Sequence, residues 1–456
     1  MTELSSNARA LLLSAAAMIA LASPTIRAQQ PTVLPLSLGD AARLAAQQSA
    51  MAQGARLRAD EAQARVRQRR ADLLPTVSSY VQEAGRTFNT STLGIDFPTP
   101  AGQKPVFDPK GQVEGPINTL DIRGRVQQNL LDFGAIGRVR SAQAAARSSG
   151  ADAEATAEQA ATVASTAYVR AMRADADLHA RQADTQLASE LLGIAQSQLQ
   201  AGTGVGLDVT RARAQVAATR ASLIASRNAR DHAHLDLLRS LSLPVGTDLV
   251  LTDSLTATAA RTEAIPDEAT LVAQALRARP DLVAEEQRVQ AAKQGLSAIK
   301  AERLPTIGLV ADDGAIGKNG KLLLNTYTWG LQVSIPIFDG FRREARVQEQ
   351  RSVVKEAEIR QHDLEQQAQA DVRGAILDLA AAREQLDAAS ERLRLAEQEV
   401  AQARDRFNAG VAGNADVVNA SLGLTASRTL VNDAETAYQL ARVSLARATG
   451  SVTTLR

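Results

Sequence analysis

The chain is 456 residues long and 45% hydrophobic, yet only 3% aromatic, which argues against a large conventional globular core, since such cores bury aromatic rings. Its 51 Lys and Arg stand against 50 Asp and Glu with the two signs interspersed, so the one-sided basic face of a nucleic-acid binder is missing and no nucleic-acid partner is expected. The lack of cysteine removes disulfides, thiolate metal sites, a cysteine nucleophile and the acceptor for a lipid anchor together.

Residues 1–28 read as a secretory signal peptide: Arg9 precedes an apolar run from Ala10 to Ala22, and Ile26-Arg27-Ala28 offers a small residue before a cleavage point. The run is too short to span a bilayer, and no later stretch has the roughly eighteen consecutive apolar residues of a spanning helix. The mature chain is therefore expected to cross the inner membrane without staying in it.

From residue 29 onward the chain reads as two copies of one plan. The first, 29–243, opens with a helix over roughly Leu38 to Asp72 that runs into Leu74-Pro75-Thr76. The period then changes to two: from Asn118 to Leu130 the even positions Leu120, Ile122, Val126 and Leu130 are apolar, while Asp121, Arg123, Arg125, Gln127 and Asn129 are polar or charged. A weaker partner near Thr76 to Ala84, joined through a Gly- and Pro-rich connection around Pro98 to Pro116, completes a hairpin over 75–131. No proline falls between Pro116 and Pro244, which permits a long helix over 135–200, a turn at Ala201-Gly202 and a return helix over 208–242.

After a linker, 244–266, the second copy, 267–456, repeats this order. A helix from Asp267 to Arg303 runs into Leu304-Pro305-Thr306 and a hairpin over 305–337. In its last strand, Thr326 to Ile337, the odd positions Tyr327, Trp329, Leu331, Val333, Ile335 and Ile337 are apolar; the partner lies near Thr306 to Ala311, with a connection around Asp312 to Asn325. A long helix over 341–408, a turn at Ala409-Gly410 and a return helix over 415–449 follow. Val372, Leu379, Leu386, Leu393, Val400 and Phe407 recur every seven residues with alanines between them, and Val417, Leu424, Val431, Tyr438 and Leu445 answer on the return helix. This is a coiled-coil seam with one large and one small knob per heptad. In the first copy Leu178, Leu192 and Leu199, with Ala188 and Ala195, occupy the matching positions opposite Val209, Val216, Leu223 and Leu237.

A helix of about sixty-five residues is roughly 100 Å long, a strut few soluble domains need. The strands reach about a dozen residues, enough to cross a bilayer when tilted. Their charged face suits a wet lumen, and Tyr327 and Trp329 sit near one strand end, where an aromatic girdle would meet the membrane surface. Four strands cannot close a cylinder, and an open edge in lipid leaves backbone groups unpaired. Two copies would give about eight strands with a filled interior, and three would leave room for a passage, so at least a trimer is preferred without the number being fixed. The competing reading is a periplasmic coiled-coil adaptor or scaffold without a pore, which would share the leader and heptads but need no amphipathic hairpins.

The duplicated order of helix, Leu-Pro, hairpin, long helix, Ala-Gly turn and return helix resembles the TolC outer-membrane efflux family over nearly the whole mature chain. Local matches are Arg279-Pro280-Asp281-Leu282, Pro336-Ile337-Phe338-Asp339-Gly340, and the turns Ala201-Gly202 with Asp208 and Ala409-Gly410 with Asp416. The resemblance implies a mixed fold of long antiparallel coiled-coil helices forming a periplasmic tunnel, an equatorial linker, and four transmembrane β-strands per protomer contributing to a homotrimeric twelve-stranded barrel. It implies an outer-membrane location in a diderm bacterium, and a periplasmic adaptor (membrane fusion protein) and an inner-membrane pump as partners. Ala201, Gly202 and Thr203, with Ala409, Gly410 and Val411, would be the adaptor-docking tips. Of the family's entrance gate, Asp416 matches the first of two acidic positions, while Asn419 replaces the second. Phe407 stands where a Tyr is found, and Ala412 where an Arg would pair with the acid at Asp208. These departures imply a gate closed by packing of Phe407 and the coil seam, with weaker polar locking. The bland reading of Asp416, an acid facing a helix N-terminus, stays open beside a cation-selective ring.

Other signals fall away. Gly202-Thr203-Gly204-Val205-Gly206 follows a helix instead of a strand, so it is not read as a phosphate cradle. His232 and His234 are two apart, the wrong spacing for a metal pair on a helix, and read as solvated surface. With no Ser, His and acid grouping in a supporting motif, neither an enzyme nor a cofactor is expected.

Overall fold

A computed structural model describes residues 34–93, 101–103, 111–255, 267–318, 320–409, 411 and 413–455. The expected signal peptide, 1–28, lies outside the described residues, as does the linker beyond residue 255. The first copy holds β1 (Leu34–Leu36), α1 (Leu38–Gln48), α2 (Ala50–Ala71), β2 (Thr76–Asn89), β3 (Val113–Leu131), α3 (Phe133–Gln200) and α4 (Gly206–Ser240). After β4 (Leu249–Leu251), the second holds α5 (Glu268–Ala278), α6 (Pro280–Ala301), β5 (Thr306–Lys318), β6 (Leu324–Ser334), α7 (Arg342–Asn408) and α8 (Asn414–Ala448).

The opening helix of each copy is broken where a single one was expected. Ser49 leaves the helical region at φ −60°, ψ 144° and its hydroxyl accepts from the N–H of Ala52, so it ends α1 and caps α2. Pro280 breaks the second copy at the equivalent point: it sits in the first turn of α6, and the residue before it, Arg279, is held extended. The pieces are 11 and 22 residues long in both copies, which keeps the two halves in step. The Arg279-Pro280-Asp281-Leu282 match is a structural tie. Arg279 bonds Asp281 at 2.7 Å and reaches Asp371 on α7 at 2.8 Å, with its side chain 11% exposed.

The α3 and α7 helices run 68 and 67 residues, and their partners α4 and α8 run 35 each. Asp132 starts α3 by accepting from the N–H of Ala135 at 2.8 Å. On α7 the heptad positions are buried apart from half-buried Leu393 and Ala403: Leu379, Ala382, Leu386 and Ala389 pack on Val431, Ala434, Tyr438 and Ala441 of α8. The first copy departs from the heptad reading, because Leu199 is exposed and Leu178 and Leu192 are only half-buried, whereas Leu191 is buried. The reason is that α3 is not at an edge. It packs on α4 and also on α8, so its apolar side is divided between two seams.

Midway along, β1 pairs parallel with β4, Leu34 opposite Leu249, and packs against the helices as a short girdle segment. Tyr168 of α3 is fully buried there among Leu237, Leu241 and Val443, and its hydroxyl donates to the Leu36 carbonyl at 2.8 Å. Burial in this apolar surround pushes its phenol well above the usual range.

At one end lies an antiparallel sheet in the order β2-β3-β5-β6. Its strands run further than the sequence suggested. The stretch read as a connection from Asp312 is strand as far as Lys318, and Val113 to Pro116 belong to β3. In the opposite sense, β6 ends at Ser334, short of Ile337. Part of the Pro98 to Pro116 connection lies outside the described residues. The glycines that looked like loop residues serve contact within the sheet. A Cβ on Gly314 would lie 2.3 Å from the Cβ of Arg123 and 2.2 Å from the Ile122 carbonyl oxygen, so β3 and β5 approach closely only because it is glycine.

The long helices thus stand side by side as a wall. Near the sheet the helices stand in the order α2, α3, α6, α7, and beyond the girdle in the order α4, α3, α8, α7. One edge of the wall is β2, α2 and α4; the other is β6 and α7.

Two measurements follow. Gly314→Val should separate β3 from β5, and the isolated variant should lose the strand signal in circular dichroism while keeping its helices. Burial pushes the Asp281 carboxyl up, but the Arg279 guanidinium pulls it down further, leaving it below 3.8. Such a carboxylate adds stability above pH 4 that is lost as pH falls through its lower folded value. Arg279→Ala should therefore cost about 2 kcal/mol in urea unfolding at pH 7, and clearly less at pH 2.

Candidate functional site: the sheet faces and the helical tip

Residues paired across an antiparallel sheet share a face, so the register sorts the strands into two surfaces. On one, Arg123 is opposite Tyr80 and Gly314, and Arg125 is opposite Ser78 and Asp312. Arg123 bonds Asp121 and Asp312 at 2.8 Å each and donates to the Thr326 hydroxyl at 3.1 Å, while Arg125 stands over the Tyr80 ring at 5.6 Å. This cluster knits all four strands of the sheet. Sequence reasoning missed Asp312 because the residue was placed in a loop; an alternation carried past Ala311 would have found it.

The other surface is oily. Val77, Val81, Ile122, Tyr327, Trp329, Leu331 and Val333 all face it and are exposed. It continues past β6 through Ile335 and Ile337, the latter 94% exposed, to Phe338 and Phe341, whose rings meet edge to face at 5.4 Å. Toward the loops it ends where Asp313, opposite Tyr327, and Glu83, opposite Leu120, bring charge to this face. From Tyr327 to Ser334, where β6 ends, the strand advances about 23 Å. Trp329 is the middle residue of β6, not near its end, with Tyr327 two residues before it, and Phe338 with Phe341 stands at the helix end of the same oily stretch.

At the far end of the helices, Phe407 is 2% exposed and packs with Leu191, Ala195, Val209, Ala212 and Val417. Its carbonyl accepts from the Gln198 amide at 3.0 Å. Gly202 turns the chain at φ 73°, and Ala201, Thr203 and Val411 are exposed beside Leu207. Ala409 ends α7; Gly410 and Ala412 lie outside the described residues. Asp208 and Asp416 both fall in the first turn of their helices, where a negative charge meets the N-terminal dipole. Asp416 and Asn419 are exposed. What joins the two tips is a residue the sequence did not single out: Asn414 is fully buried and donates to the Asp208 carbonyl at 3.0 Å, while its own side-chain oxygen has no partner. A polar residue beside a valine-rich heptad gave no periodic signal.

Above the tip the two copies are held by charge. Asp184 on α3, with its side chain 5% exposed, takes bonds from Arg181 at 3.0 Å and from Arg428 on α8 at 2.8 Å. Asn432 donates to Asp177 at 2.7 Å, and Arg173 pairs with Asp433 at 2.5 Å. His234 corrects the sequence reading: its ring is 12% exposed and lies 3.2 Å from Asp175. Burial raises the Asp175 carboxyl, and His234 with Arg230 lowers it further, to below its ordinary value.

The profile of the family described as outer membrane efflux protein matches residues 41–242 and 271–451, and the chain belongs to that family. It is a family of outer-membrane channels with a periplasmic extension. The chain is 27% identical over 276 residues to the outer membrane efflux protein BepC of Brucella suis biovar 1 (strain 1330), covering 60% of this chain and 59% of that one. To the alkaline protease secretion protein AprF of Pseudomonas aeruginosa it is 25% identical over 337 residues, 71% of this chain and 67% of that one. The matched part thus spans about three-fifths to two-thirds of these curated relatives. The solved structure of CusC shares the fold, with a TM-score of 0.75 at 18% identity, covering 92% of this chain and 93% of that one. Among the described residues no helix is long and apolar enough to cross a membrane.

Asp184→Ala would leave Arg181 and Arg428 uncompensated in a closed seam and should cost about 3 kcal/mol in urea unfolding. The pair Asp184→Leu with Arg428→Met should recover most of that loss; a double variant as unstable as the single one would show that shape, not charge, governs the seam.

Proposed function

We propose that three copies of this chain join head to tail into an outer-membrane duct, a passive conduit that receives cargo in the periplasm and releases it outside the cell. The observation that carries this reading is the pair of free sheet edges. β2 and β6 are each hydrogen-bonded on one side only among the described residues, and both border an oily face. In lipid such edges must pair, and the β2 edge of one copy fits the β6 edge of the next. Three copies would make about twelve strands with a wet interior lined by the ionic face.

The helices support the same closure. Six Arg against two acidic residues make α2 basic, and six against three make α4 basic, whereas α7 is net acidic. Opposite charge therefore lies on the two edges that would meet, together with exposed Leu57 and Ile224 on one and Ile359, Leu377 and Leu395 on the other. A pore-free scaffold would have no use for an oily sheet face.

An inner-membrane pump and a periplasmic adaptor are the proposed partners, with the adaptor seated on the tip around Ala201, Gly202, Thr203, Ala409, Gly410 and Val411. BepC is named for efflux and AprF for secretion of an alkaline protease, so the cargo is set elsewhere in the assembly. The gate would close through the packing of Phe407 and the Asn414 bond, with Asp416 and Asn419 facing the axis and Asp208 and Ala412 making no strong latch.

Purified mature protein should need detergent, cross-link as a trimer, and conduct in planar bilayers; a soluble monomer without detergent would end the proposal. Within it, Asn414→Ala should raise the open fraction severalfold, since about 1 kcal/mol of closure is lost. Asp208→Ala should leave conductance near wild type. Asp416→Asn should lower cation preference in reversal-potential measurements, and an unchanged preference would assign Asp416 to the helix dipole alone.

A further inference from the structure

The oily band stops at the helices, and the residues just past it carry unpaired charge. Arg67 and Arg70 lie in the final turns of α2, seven and four residues before exposed Leu74, and Arg342 opens α7 directly after Phe341. All three are exposed. Their neighbours are satisfied: Arg65 by Glu61, Arg69 by Asp72, Arg303 by Glu344 and Arg346 by Glu302. Arg67, Arg70 and Arg342 have no acidic group within ion-pair distance among the described residues.

These helix ends stand on opposite edges of the wall, α2 below β2 and α7 below β6. Head-to-tail closure sets them beside each other at one height. At this level closure would bring together three guanidinium groups that lack an ion-pair partner of their own, because the nearby Asp72, Glu344 and Asp339 are already held by Arg69, Arg303 and Arg343. Such a cluster needs an anion from outside the chain, and it lies against the end of the apolar band marked by Ile337, Phe338 and Phe341. That is the level at which phospholipid phosphates stand.

We propose that Arg67 and Arg70 of one copy and Arg342 of the next form, at each seam, a binding site for the headgroup phosphate of an anionic phospholipid in the leaflet facing the helices. This rests on the proposed barrel closure. The site would select phosphatidylglycerol over zwitterionic lipid and tie the seam together through it.

The test uses the full mature protein reconstituted in phosphatidylcholine vesicles with trace spin-labelled lipid, read by electron paramagnetic resonance as the fraction immobilised on the protein. Spin-labelled phosphatidylglycerol should associate at least about threefold more strongly than spin-labelled phosphatidylcholine. The preference should fall toward one in R67Q/R70Q/R342Q and persist in R58Q, an arginine farther from the band. Equal association of the two lipids with wild-type protein that conducts in bilayers would overturn the site and leave the barrel standing. So would a preference abolished by inorganic phosphate but not by sodium chloride of equal ionic strength, which would mark a free-phosphate site. Protein that immobilises neither lipid and does not conduct would instead sink the barrel reading itself.

Discussion

A strand facing hydrocarbon has no water to satisfy its outer row of N–H and C=O groups, so an open sheet edge is intolerable in a bilayer. Every other part of this protein is arranged around that constraint. The sheet is oily on one face and ionic on the other, and its two outer strands, β2 and β6, are continuous with the helices that form the two edges of the wall. In the proposed ring the same edge pairing would serve the strands through hydrogen bonds and the helices through charge and apolar contact.

The helical part solves a different problem, that of building a long wall. Alanine knobs let helices approach closely on two sides, which favours a sheet of helices over a bundle. A seam of leucine and alanine repeats is, however, weakly specific in register, because a slip by one heptad presents nearly the same surface. The buried Asp184 with Arg181 and Arg428, and Asn432 with Asp177, remove that ambiguity between the two copies. Buried charge is a poor source of net stability but a good source of uniqueness, and here it stands between halves built on one order of elements that could otherwise pair in more than one way. Below this row, toward Phe407 and Asn414, the contacts become apolar and the polar ties fewer.

The duplication is kept even where the sequence hides it. Ser49 and Pro280 break the chain by unrelated chemistry, one a side-chain cap and the other a missing N–H, at equivalent points of the two copies. The Ala-Gly turns likewise each lead to a helix with an acid in its first turn. Conserved geometry has been met by different residues, so pattern, not identity, carries the repeat.

Much of this was legible in the residues. The heptads of α7 and α8, the gap in prolines, the two Leu-Pro-Thr junctions and the alternation in β3 and β6 are local periodicities, and local periodicity follows directly from the 3.6- and 2-residue repeats of the backbone. What the residues could not disclose depends on neighbours far along the chain. Leu199 was assigned to a seam it does not occupy, because only the tertiary arrangement puts α8 against α3 and splits its apolar side. Asp312 and Gly314 looked like a loop until β3 was laid beside them. His234 read as surface until Asp175 came within 3.2 Å, and Asn414 carried no signal until the Asp208 carbonyl stood opposite it. The sequence by itself determined the elements, the duplication and the oily face of the strands; the tertiary structure alone decided which polar groups meet, since a side chain's partner is set by the path of the whole chain and not by its own neighbours in it.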